Sequence, residues 1–460
     1  MPVESLTLAQ LAGRGRETLI TAPTQSTTYA RDPQSTDVRA MSIATVLFFM
    51  WGFLTCLNDI LIPHLKAIFS LNYGQALLVQ FAFFSSYFIF ALPSGKLVEW
   101  RGYKQTMVIG LIVMAAGALL FLPAAATASY GLFLTALVVL AAGITCLQVS
   151  ANPYVTNLGP QATAASRLNL AQAFNSFGTF IAPFFGGALI LGAIEATPEA
   201  IKAFSATALQ TYREQQASTV RLPYLGIAVT LLALAVAIAL IKLPTTDFTR
   251  DFRPGELQTG ASGSIWTHPY LIMGAIGIFV YVGAEVSIGS FLINYFGLPK
   301  IGGLSQKTAA NLVPFYWGGA MVGRFIGSAV LRRISAGKAL AGAAFIACCL
   351  VALTMMSAGH LAIGSVILVG LFNSIMFPTI FTLGLAGLGE LTSKGSSLMV
   401  AAIVGGALIP LAEGHLADRI GVQHAFIIPA VCYIYIALFG IFASRRKDID
   451  QDPRKAAAAH

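Results

Sequence analysis

The chain has 460 residues, of which 56% are hydrophobic and only 10% charged, and its mean hydropathy is +0.76. A soluble core cannot bury that much apolar surface, so this composition excludes a soluble globular protein and predicts a membrane protein. The net charge of +9 is typical of basic residues at the cytoplasmic ends of membrane helices. No basic patch with interleaved aromatic residues occurs, which argues against a nucleic-acid partner.

Several classes of chemistry lack their sequence motifs. The five cysteines lie in apolar segments without metal-ligand spacing, which predicts neither a disulfide framework nor a metal site. No GxxxxGK[ST] motif of an ATP-driven motor occurs, and no HExxH, GxSxG or CxxC motif points to an enzyme. We therefore expect no cofactor and no catalytic residues.

The chain outside its N-terminal tail consists largely of apolar runs. Residues 1–40 are polar and contain no apolar h-region, which predicts a cytoplasmic tail rather than a cleavable signal peptide. A membrane-spanning helix needs about 20 mainly apolar residues. The runs are long and do not alternate polar with apolar residues, so they predict helices rather than barrel strands. The twelve predicted spans are 41–66, 75–97, 105–124, 129–157, 166–193, 222–243, 268–296, 307–331, 338–357, 361–388, 396–417 and 424–443.

The distribution of lysine and arginine sets the orientation of these spans. With both termini on one side, 20 of the 28 Lys and Arg residues fall on that side, 7 on the opposite side, and Arg324 within span eight. Basic residues gather on the cytoplasmic side, so both termini are predicted to be cytoplasmic. We expect a multi-pass protein of a bacterial inner membrane.

A polar linker divides the twelve spans into two sets of six. Residues 244–267 combine mixed charge with Pro and Gly. They separate a six-helix bundle over 41–243 from a second over 268–443, which is followed by a cytoplasmic tail over 444–460. The predicted fold class is an all-α polytopic membrane protein with twelve transmembrane helices in two pseudo-symmetric six-helix bundles.

Two carboxyl groups interrupt the apolar spans at mid-depth. The segment TCLNDILIPHL places Asp59 in span one, and Glu285 lies in span seven. An ionisable residue at the bilayer centre costs about 2.5–3.5 kcal/mol on insertion scales and usually marks an ion or substrate pathway. The alternative is a buried pair that packs helices together, with Arg324 as the partner. We favour a coupling or ligand site that faces an internal cavity.

Asp59 can couple a cation in two ways. As a buried carboxyl group it can take up and release a proton near neutrality, and as a carboxylate it can hold a sodium ion with neighbouring oxygen atoms. Thr55 lies one helical turn earlier on the same face, whereas Asn58 lies about 100° round the helix. Pro63 leaves the Asp59 carbonyl without its usual helical partner. Cation coupling is therefore assigned to Asp59, Asn58 and Thr55.

Polar residues follow single faces of spans four and five. Gln148 lies on one such face, and Gln172 and Asn175 lie three residues apart on the other. Such stripes can hold helices together by hydrogen bonds, but amide groups that donate and accept also suit a polyol ligand. Tyr87 and Trp317 lie at similar depth, where their rings can stack on the C–H face of a sugar.

The loop after span two resembles a signature of the major facilitator superfamily. In GKLVEWRGYK, from Gly95 to Lys104, a glycine, an acid and basic residues stand at fixed spacing. Such a cluster can hold the cytoplasmic ends of spans together through charge pairs and a helix dipole. The counterpart after span eight is GRFIGSAVLRRISAGK, from Gly323 to Lys338. The resemblance implies that conformational gating involves Gly95, Glu99, Arg101, Arg324 and Arg332.

Five further segments resemble the fucose:proton symporter family. They are LNDILIPHL (57–65), LQVSANPYVTNLG (147–159), RLNLAQAFNSFGTFIAP (167–183), YVGAEVSIGSFL (281–292) and FPTIFTLGLAGLG (377–389). The likeness implies a rocker-switch transporter for a hexose, driven by a cation gradient. It places Asp59 in cation coupling, and Gln172 and Asn175 in sugar binding.

One position is more similar to another branch of the family. In the fucose symporter a glutamate takes the place of Gln148. Gln148, IPHLK and YVGAEVSIGSFL are more similar to the glucose/galactose branch, for which sodium coupling is known. The resemblance therefore leaves sodium and proton coupling open.

Together these features predict a secondary active transporter that imports a hexose of the glucose/galactose type with a sodium ion or a proton. One alternative is a proton-coupled exporter of drugs or metabolites on the same fold, and another is a non-transporting receptor or channel. We expect a monomer in the lipid bilayer, with the sugar and the cation as its small-molecule partners. The predicted substrate-binding residues are Gln148, Gln172, Asn175, Glu285, Asn294, Asn373, Tyr87 and Trp317.

Overall fold

The computed structural model describes residues 35–69, 73–127, 129–189, 221–243 and 264–445, together with isolated positions between 204 and 215. Within these ranges, side chains are described except at 57–69, 73–78, 80 and 183–189. Most of the predicted N-terminal tail, most of the linker and most of the C-terminal tail lie outside the described residues.

All regular structure in the described residues is helical, and nine described stretches are long and apolar enough to cross a membrane. One of them, Phe81–Ala126, covers predicted spans two and three, while Ala164–Leu189 and Val313–Val330 lie at spans five and eight. Every predicted span thus overlaps helix within the described residues, and the all-α membrane fold is confirmed. The α-helices are α1 (Val38–Phe69), α2 (Tyr73–Ala126), α3 (Tyr130–Thr156), α4 (Ala164–Leu189), α5 (Arg221–Leu240), α6 (Pro269–Phe296), α7 (Gln306–Ala310), α8 (Val313–Val330), α9 (Ala336–Met356), α10 (Gly359–Asn373), α11 (Met376–Leu385), α12 (Thr392–Ala401), α13 (Gly405–Ile420), α14 (Val422–Ala425) and α15 (Ile427–Ser444).

Helix α2 holds two membrane segments that meet at Gly102. This residue has a φ of 77° and a ψ of 170°, a conformation that glycine adopts because it has no Cβ atom. The second segment packs against α5, where the rings of Phe121 and Tyr224 stack with centroids 4.1 Å apart. Lys104 Nζ donates a hydrogen bond to the Ala239 carbonyl at 2.9 Å. These contacts fix the second segment of α2 against α5.

Glycine residues let α2 and α3 approach closely. A Cβ atom at Gly117 would lie 2.7 Å from the Cα atom of Leu140, and one at Gly143 would lie 2.7 Å from the carbonyl oxygen of Gly110. Apolar side chains gain little by leaving lipid, so membrane helices associate through close backbone packing at small residues. Larger residues at Gly117 or Gly143 would push the two helices apart.

The predicted tenth span is broken at its middle, because α10 ends at Asn373 and α11 begins at Met376. Pro378 has no backbone N–H, so the Ser374 carbonyl one turn earlier has no helical partner. That carbonyl instead accepts a hydrogen bond from Arg324 Nε at 3.3 Å. Irregular backbone at membrane depth occurs where it is buried in protein or lines a cavity. The break therefore marks a region in which polar groups can be assembled.

Candidate functional site

A carboxyl group and a guanidinium group pair between α6 and α8. Arg324 Nη2 lies 3.9 Å from Glu285 Oε1, and the two side chains are 13% and 12% exposed. Tyr281, one turn before Glu285 on α6, donates its hydroxyl to the same oxygen at 2.8 Å. The opposite charge and the hydrogen bond together offset part of the cost of removing a carboxylate from water.

Amide and hydroxyl groups extend this pair to α10. The Tyr281 hydroxyl also lies 3.1 Å from the Asn373 carbonyl. Asn373 Nδ2 donates a hydrogen bond to the Tyr316 hydroxyl oxygen at 2.8 Å. The Tyr316 hydroxyl in turn donates to the backbone carbonyl of Glu285 at 3.2 Å. Asn373 is fully buried, yet its Oδ1 has no hydrogen-bond partner among the described residues. Because buried amide oxygens are normally hydrogen-bonded, this atom is suited to accept from a ligand hydroxyl.

Arg324 also connects the carboxyl group to α4, in the first half of the chain. Its Nη1 contacts the Ser176 hydroxyl, and its backbone carbonyl accepts from Asn169 Nδ2 at 2.7 Å. Gln172 lies one turn before Ser176 and therefore shares its face of α4. A single arginine thus joins the acid in one half to a polar helix face in the other.

The predicted amide residues of the first half differ in how far they are already hydrogen-bonded. Gln148 Nε2 donates to the Tyr87 hydroxyl oxygen at 3.1 Å. Gln148 Oε1 and Gln172 Nε2 are buried and have no hydrogen-bond partner in the described part of the chain. Asn175 Nδ2 donates to the Phe48 carbonyl at 3.0 Å, so it ties α4 to α1. Two of the three amides therefore keep a spare polar atom.

The predicted cation residues are only partly described. The side chains of Asp59 and Asn58 lie outside the described residues. Thr55 donates its hydroxyl to the Trp51 carbonyl at 3.0 Å, within α1. Cation coupling by these three residues stays a prediction.

Two predicted sugar residues lie toward exposed surfaces. Trp317 is 38% exposed, and its ring makes an edge contact with Tyr316 at a centroid distance of 5.1 Å. Asn294 is exposed near the end of α6. Trp317 thus contacts the tyrosine that donates a hydrogen bond to Glu285, whereas Asn294 makes no hydrogen bond to that network among the described residues.

Hydrogen bonds join the two halves at the end of the bundle that is predicted to be cytoplasmic. They run between serine hydroxyls on one half and acceptors on the other, and they close this end. The bonds are Ser393 Oγ to Glu99 Oε1 at 3.1 Å, Ser396 Oγ to Val149 O at 2.9 Å and Ser166 Oγ to Ser328 O at 2.6 Å.

The other predicted gating residues lie near the same end. A Cβ atom at Gly95 would come within 3.0 Å of Ser397 Cβ on α12, so only glycine fits this contact without a shift. The Arg101 guanidinium lies 5.0 Å from the centroid of the Trp100 ring, and Arg332 is exposed. Gly95 therefore belongs to the contact between the halves, whereas Arg101 and Arg332 lie at its margin.

Glu413 and Tyr316 were not predicted from the sequence. Glu413 of α13 is fully buried, although it stands only four positions before the predicted end of span eleven. The one available signal was an acid inside the apolar run IPLAEG. Tyr316 was indistinguishable from a packing aromatic, because its role depends on the approach of α6 and α10.

A largely buried acid and guanidinium group, with amide side chains nearby and membrane helices around them, are typical of a multi-span membrane transporter. The chain belongs to the Major Facilitator Superfamily, whose sequence profile matches residues 41–402. The resemblance drawn from the loop and span motifs is thereby confirmed.

Individual relatives refine this placement. A glucose/galactose transporter of Brucella abortus biovar 1 (strain 9-941) is 54% identical over 406 residues, covering 88% of this chain and 94% of the relative. The L-fucose-proton symporter of Escherichia coli (strain K12) is 38% identical over 407 residues, covering 87% and 92%. A crystal structure of the Major Facilitator Superfamily transporter FucP in the outward conformation matches with a TM-score of 0.82 at 35% identity, covering 89% of this chain and 99% of that one.

Proposed function

We propose that the protein imports a hexose of the glucose/galactose type by symport with a cation. The observation that carries this proposal is the position of Arg324, which pairs with Glu285 in one half and contacts Ser176, one turn from Gln172, in the other. A ligand bound between these groups would touch both halves of a transporter. Relatives named glucose/galactose transporter and L-fucose-proton symporter support a sugar as the cargo.

The chemistry of the site suits a polyol. Gln148 Oε1 and Asn373 Oδ1 are spare acceptors, and Gln172 Nε2 is a spare donor. A sugar hydroxyl can donate and accept at once, so it can satisfy atoms of both kinds. The partly exposed indole ring of Trp317 supplies an apolar surface on which the C–H face of the sugar ring can stack. A largely apolar drug would leave these amide groups unsatisfied, which weighs against the exporter alternative.

We assign cation coupling to Asp59, with Thr55 and Asn58 beside it. An unpaired carboxylate in a closing, dry cavity is costly, and a bound proton or sodium ion removes that cost. Sugar and cation together would then stabilise the closed form that either one alone leaves unstable. The E. coli relative is named a proton symporter, whereas the glutamine at position 148 is a feature shared with the glucose/galactose branch. These resemblances favour different cations, and one uptake experiment distinguishes them.

The contacts between the halves support alternating access. In the predicted orientation, the Ser393–Glu99, Ser396–Val149 and Ser166–Ser328 hydrogen bonds close the cytoplasmic side. We infer an outward-facing state, in line with the matched structure in the outward conformation. To release sugar inside, these bonds break while the outer ends of the halves approach. We place the protein in a bacterial inner membrane as a monomer with both termini in the cytoplasm.

Uptake into proteoliposomes tests the proposal. Labelled D-glucose is offered under a pH gradient alone or a sodium gradient alone, to wild type and to Asp59→Asn. Accumulation driven by one gradient identifies the coupling cation, and Asp59→Asn should retain counterflow while losing accumulation. Full accumulation by Asp59→Asn would show that another residue couples the cation. If no uptake occurs in wild type, D-galactose, L-fucose and then efflux of amphipathic dyes are tested in turn.

A further inference from the structure

Glu413 of α13 is a fully buried acid that the proposed sugar and cation sites do not use. Neither of its carboxyl oxygens has a hydrogen-bond partner in the part of the chain that the structure describes. It lies seven residues before Ile420, the end of α13, which is about 10 Å at 1.5 Å per residue. The group is therefore well inside the helix rather than at its exposed end.

The groups around Glu413 are polar but carry no positive charge. Ser287 of α6 lies beside the carboxyl without reaching hydrogen-bond geometry, and its own hydroxyl is buried and unpartnered among the described residues. Cys432 and Tyr433 of α15 also lie near it. Helix α2 meets α13 through Phe84, at Gly406.

The other titratable groups on α13, which are His415, Asp418 and Arg419, are exposed. His424 of α14 is exposed and bonds the Ile420 carbonyl at 3.2 Å. Glu285, two residues before Ser287 on α6, pairs with Arg324. In the described part of the chain, no lysine or arginine pairs with Glu413.

An ionised carboxylate in such surroundings costs several kcal/mol, because neither a cation nor a hydrogen-bond donor replaces its hydration. A carboxylic acid that holds a proton avoids most of this cost. It also gains one O–H donor, for which the Ser287 oxygen is a nearby acceptor. The described state therefore suits Glu413 with a proton bound.

Helix α6 connects Glu413 to the site between the halves. Tyr433 of α15 interacts electrostatically with both Glu413 and Glu285, and its buried hydroxyl has no hydrogen-bond partner among the described residues. Asn373 belongs to the Tyr281–Glu285 network. Helix α6 carries both Ser287, beside Glu413, and Glu285 of this network, so a change at Glu413 can reach the groups proposed to bind sugar through α6.

We propose that Glu413 is a proton-binding site in the second half of the transporter, which takes a proton from water in one conformation and releases it in another. The proton is neither created nor consumed, because it moves between bulk water and the carboxyl group. Proton binding at Glu413 favours the packed arrangement of α6, α13 and α15 described here, and so favours sugar binding at Asn373. The link to sugar rests on the proposed function, whereas the proton site does not.

Infrared spectroscopy of the full chain in lipid nanodiscs tests the proton site directly. The chain has 19 Asp and Glu residues, so the wild-type spectrum minus that of Glu413→Gln isolates the carbonyl stretch of the protonated Glu413 carboxyl. Gln resembles the protonated acid in shape, and Glu413→Asp serves as the titrating variant if Glu413→Gln folds poorly. Glu390→Gln, at an exposed acid, is the matched control. The expected result is a band at neutral pH that fades as the pH rises and changes on addition of D-glucose.

Binding of D-glucose across the same pH range supplies the second readout. One coupled proton changes an apparent dissociation constant by up to about tenfold per pH unit, and Glu413→Gln should flatten this dependence while Glu390→Gln leaves it unchanged. A difference band that is absent, or that responds to neither pH nor sugar, overturns the proposal and makes Glu413 a fixed packing group. If wild type binds no D-glucose, the proposed function fails in its choice of sugar, and the pH response of the band alone decides the proton site.

Discussion

Arg324 and Glu285 lie 3.9 Å apart between α8 and α6, and the same arginine contacts Ser176 of α4. One guanidinium group therefore faces the buried acid of the second half and a polar helix face of the first. A ligand or proton that changes the charge at Glu285 also changes how strongly Arg324 is held. This gives a physical route by which occupancy of the site can loosen the contact between the halves.

Replacing Arg324 by methionine should destabilise the protein and abolish uptake. Breaking a buried ion pair by removing one partner costs about 3–5 kcal/mol, because it leaves an uncompensated charge. Thermal unfolding in detergent, with labelled glucose uptake in proteoliposomes, measures both effects. The double variant Glu285→Gln/Arg324→Met should unfold at a higher temperature than Arg324→Met, since no charge is left unpaired, yet it should not transport. An unchanged melting temperature in Arg324→Met would show that the pair does not stabilise the fold.

Replacing Gln148 by glutamate should make sugar binding depend on pH. The side chain is buried beside Tyr87, so a carboxyl group there is isosteric with the amide but can exchange a proton with water. The Tyr87 hydroxyl can donate to it in the ionised form. D-glucose affinity measured between pH 5 and 9 checks this, with Gln148→Leu as the variant that fills the space without a polar group. A flat pH profile in Gln148→Glu would contradict the placement of this residue at the sugar.

The spans were predictable because each one is a long, mainly apolar run, and Glu285 was predictable because it is an acid inside such a run. Arg324 was predictable for the same reason, either as the partner of an acid or as a gating residue. In the structure it pairs with Glu285 and contacts Ser176 of the first half. The break between Asn373 and Met376 was not predictable, since a proline inside a membrane helix is compatible with a kink or a break.

The hydrogen-bond network among Tyr281, Asn373 and Tyr316 was also beyond the sequence. Each residue is common in a helix interior, and only the tertiary approach of α6, α8 and α10 brings them together. Glu413 was not among the predicted acids, and it stands only four positions before the predicted end of span eleven. The structure continues α13 to Ile420 and buries Glu413 completely.

Arg167 should be a stability determinant of the loop between α3 and α4. Its buried guanidinium group donates to four backbone carbonyls and one hydroxyl, at distances from 2.6 to 3.3 Å. Hydrogen bonds from a charged group contribute about 1.5–3 kcal/mol each, so Arg167→Gln should lose about 3 kcal/mol or more. Thermal unfolding measures the loss, and Arg332→Gln, at an exposed arginine, is the control that should not change. Equal melting temperatures for the two variants would contradict this role.

Enlarging Gly95 should prevent the predicted cytoplasmic side from closing. A Cβ atom there meets Ser397, and the Ser393 carbonyl lies 3.3 Å from it, so Gly95→Val forces α2 away from α12. The variant should favour an inward-open state and lose most accumulation of sugar. Single cysteines at Val149 and at Ser328, both buried in the closed end, keep the backbone carbonyls that accept the closing hydrogen bonds and report the state by their rate of labelling with a water-soluble maleimide. That rate should rise in Gly95→Val.

A second substitution separates this effect from simple misfolding. Ser397→Gly removes the side chain that a residue at position 95 would strike, so Gly95→Ala/Ser397→Gly should recover more uptake than Gly95→Ala alone. Ser397→Gly alone should change uptake little, because the glycine at position 95 needs no additional space. If the double variant transports no better than Gly95→Ala, the glycine is needed for a reason other than the approach of α2 to α12, and the closed end described here is not the gate.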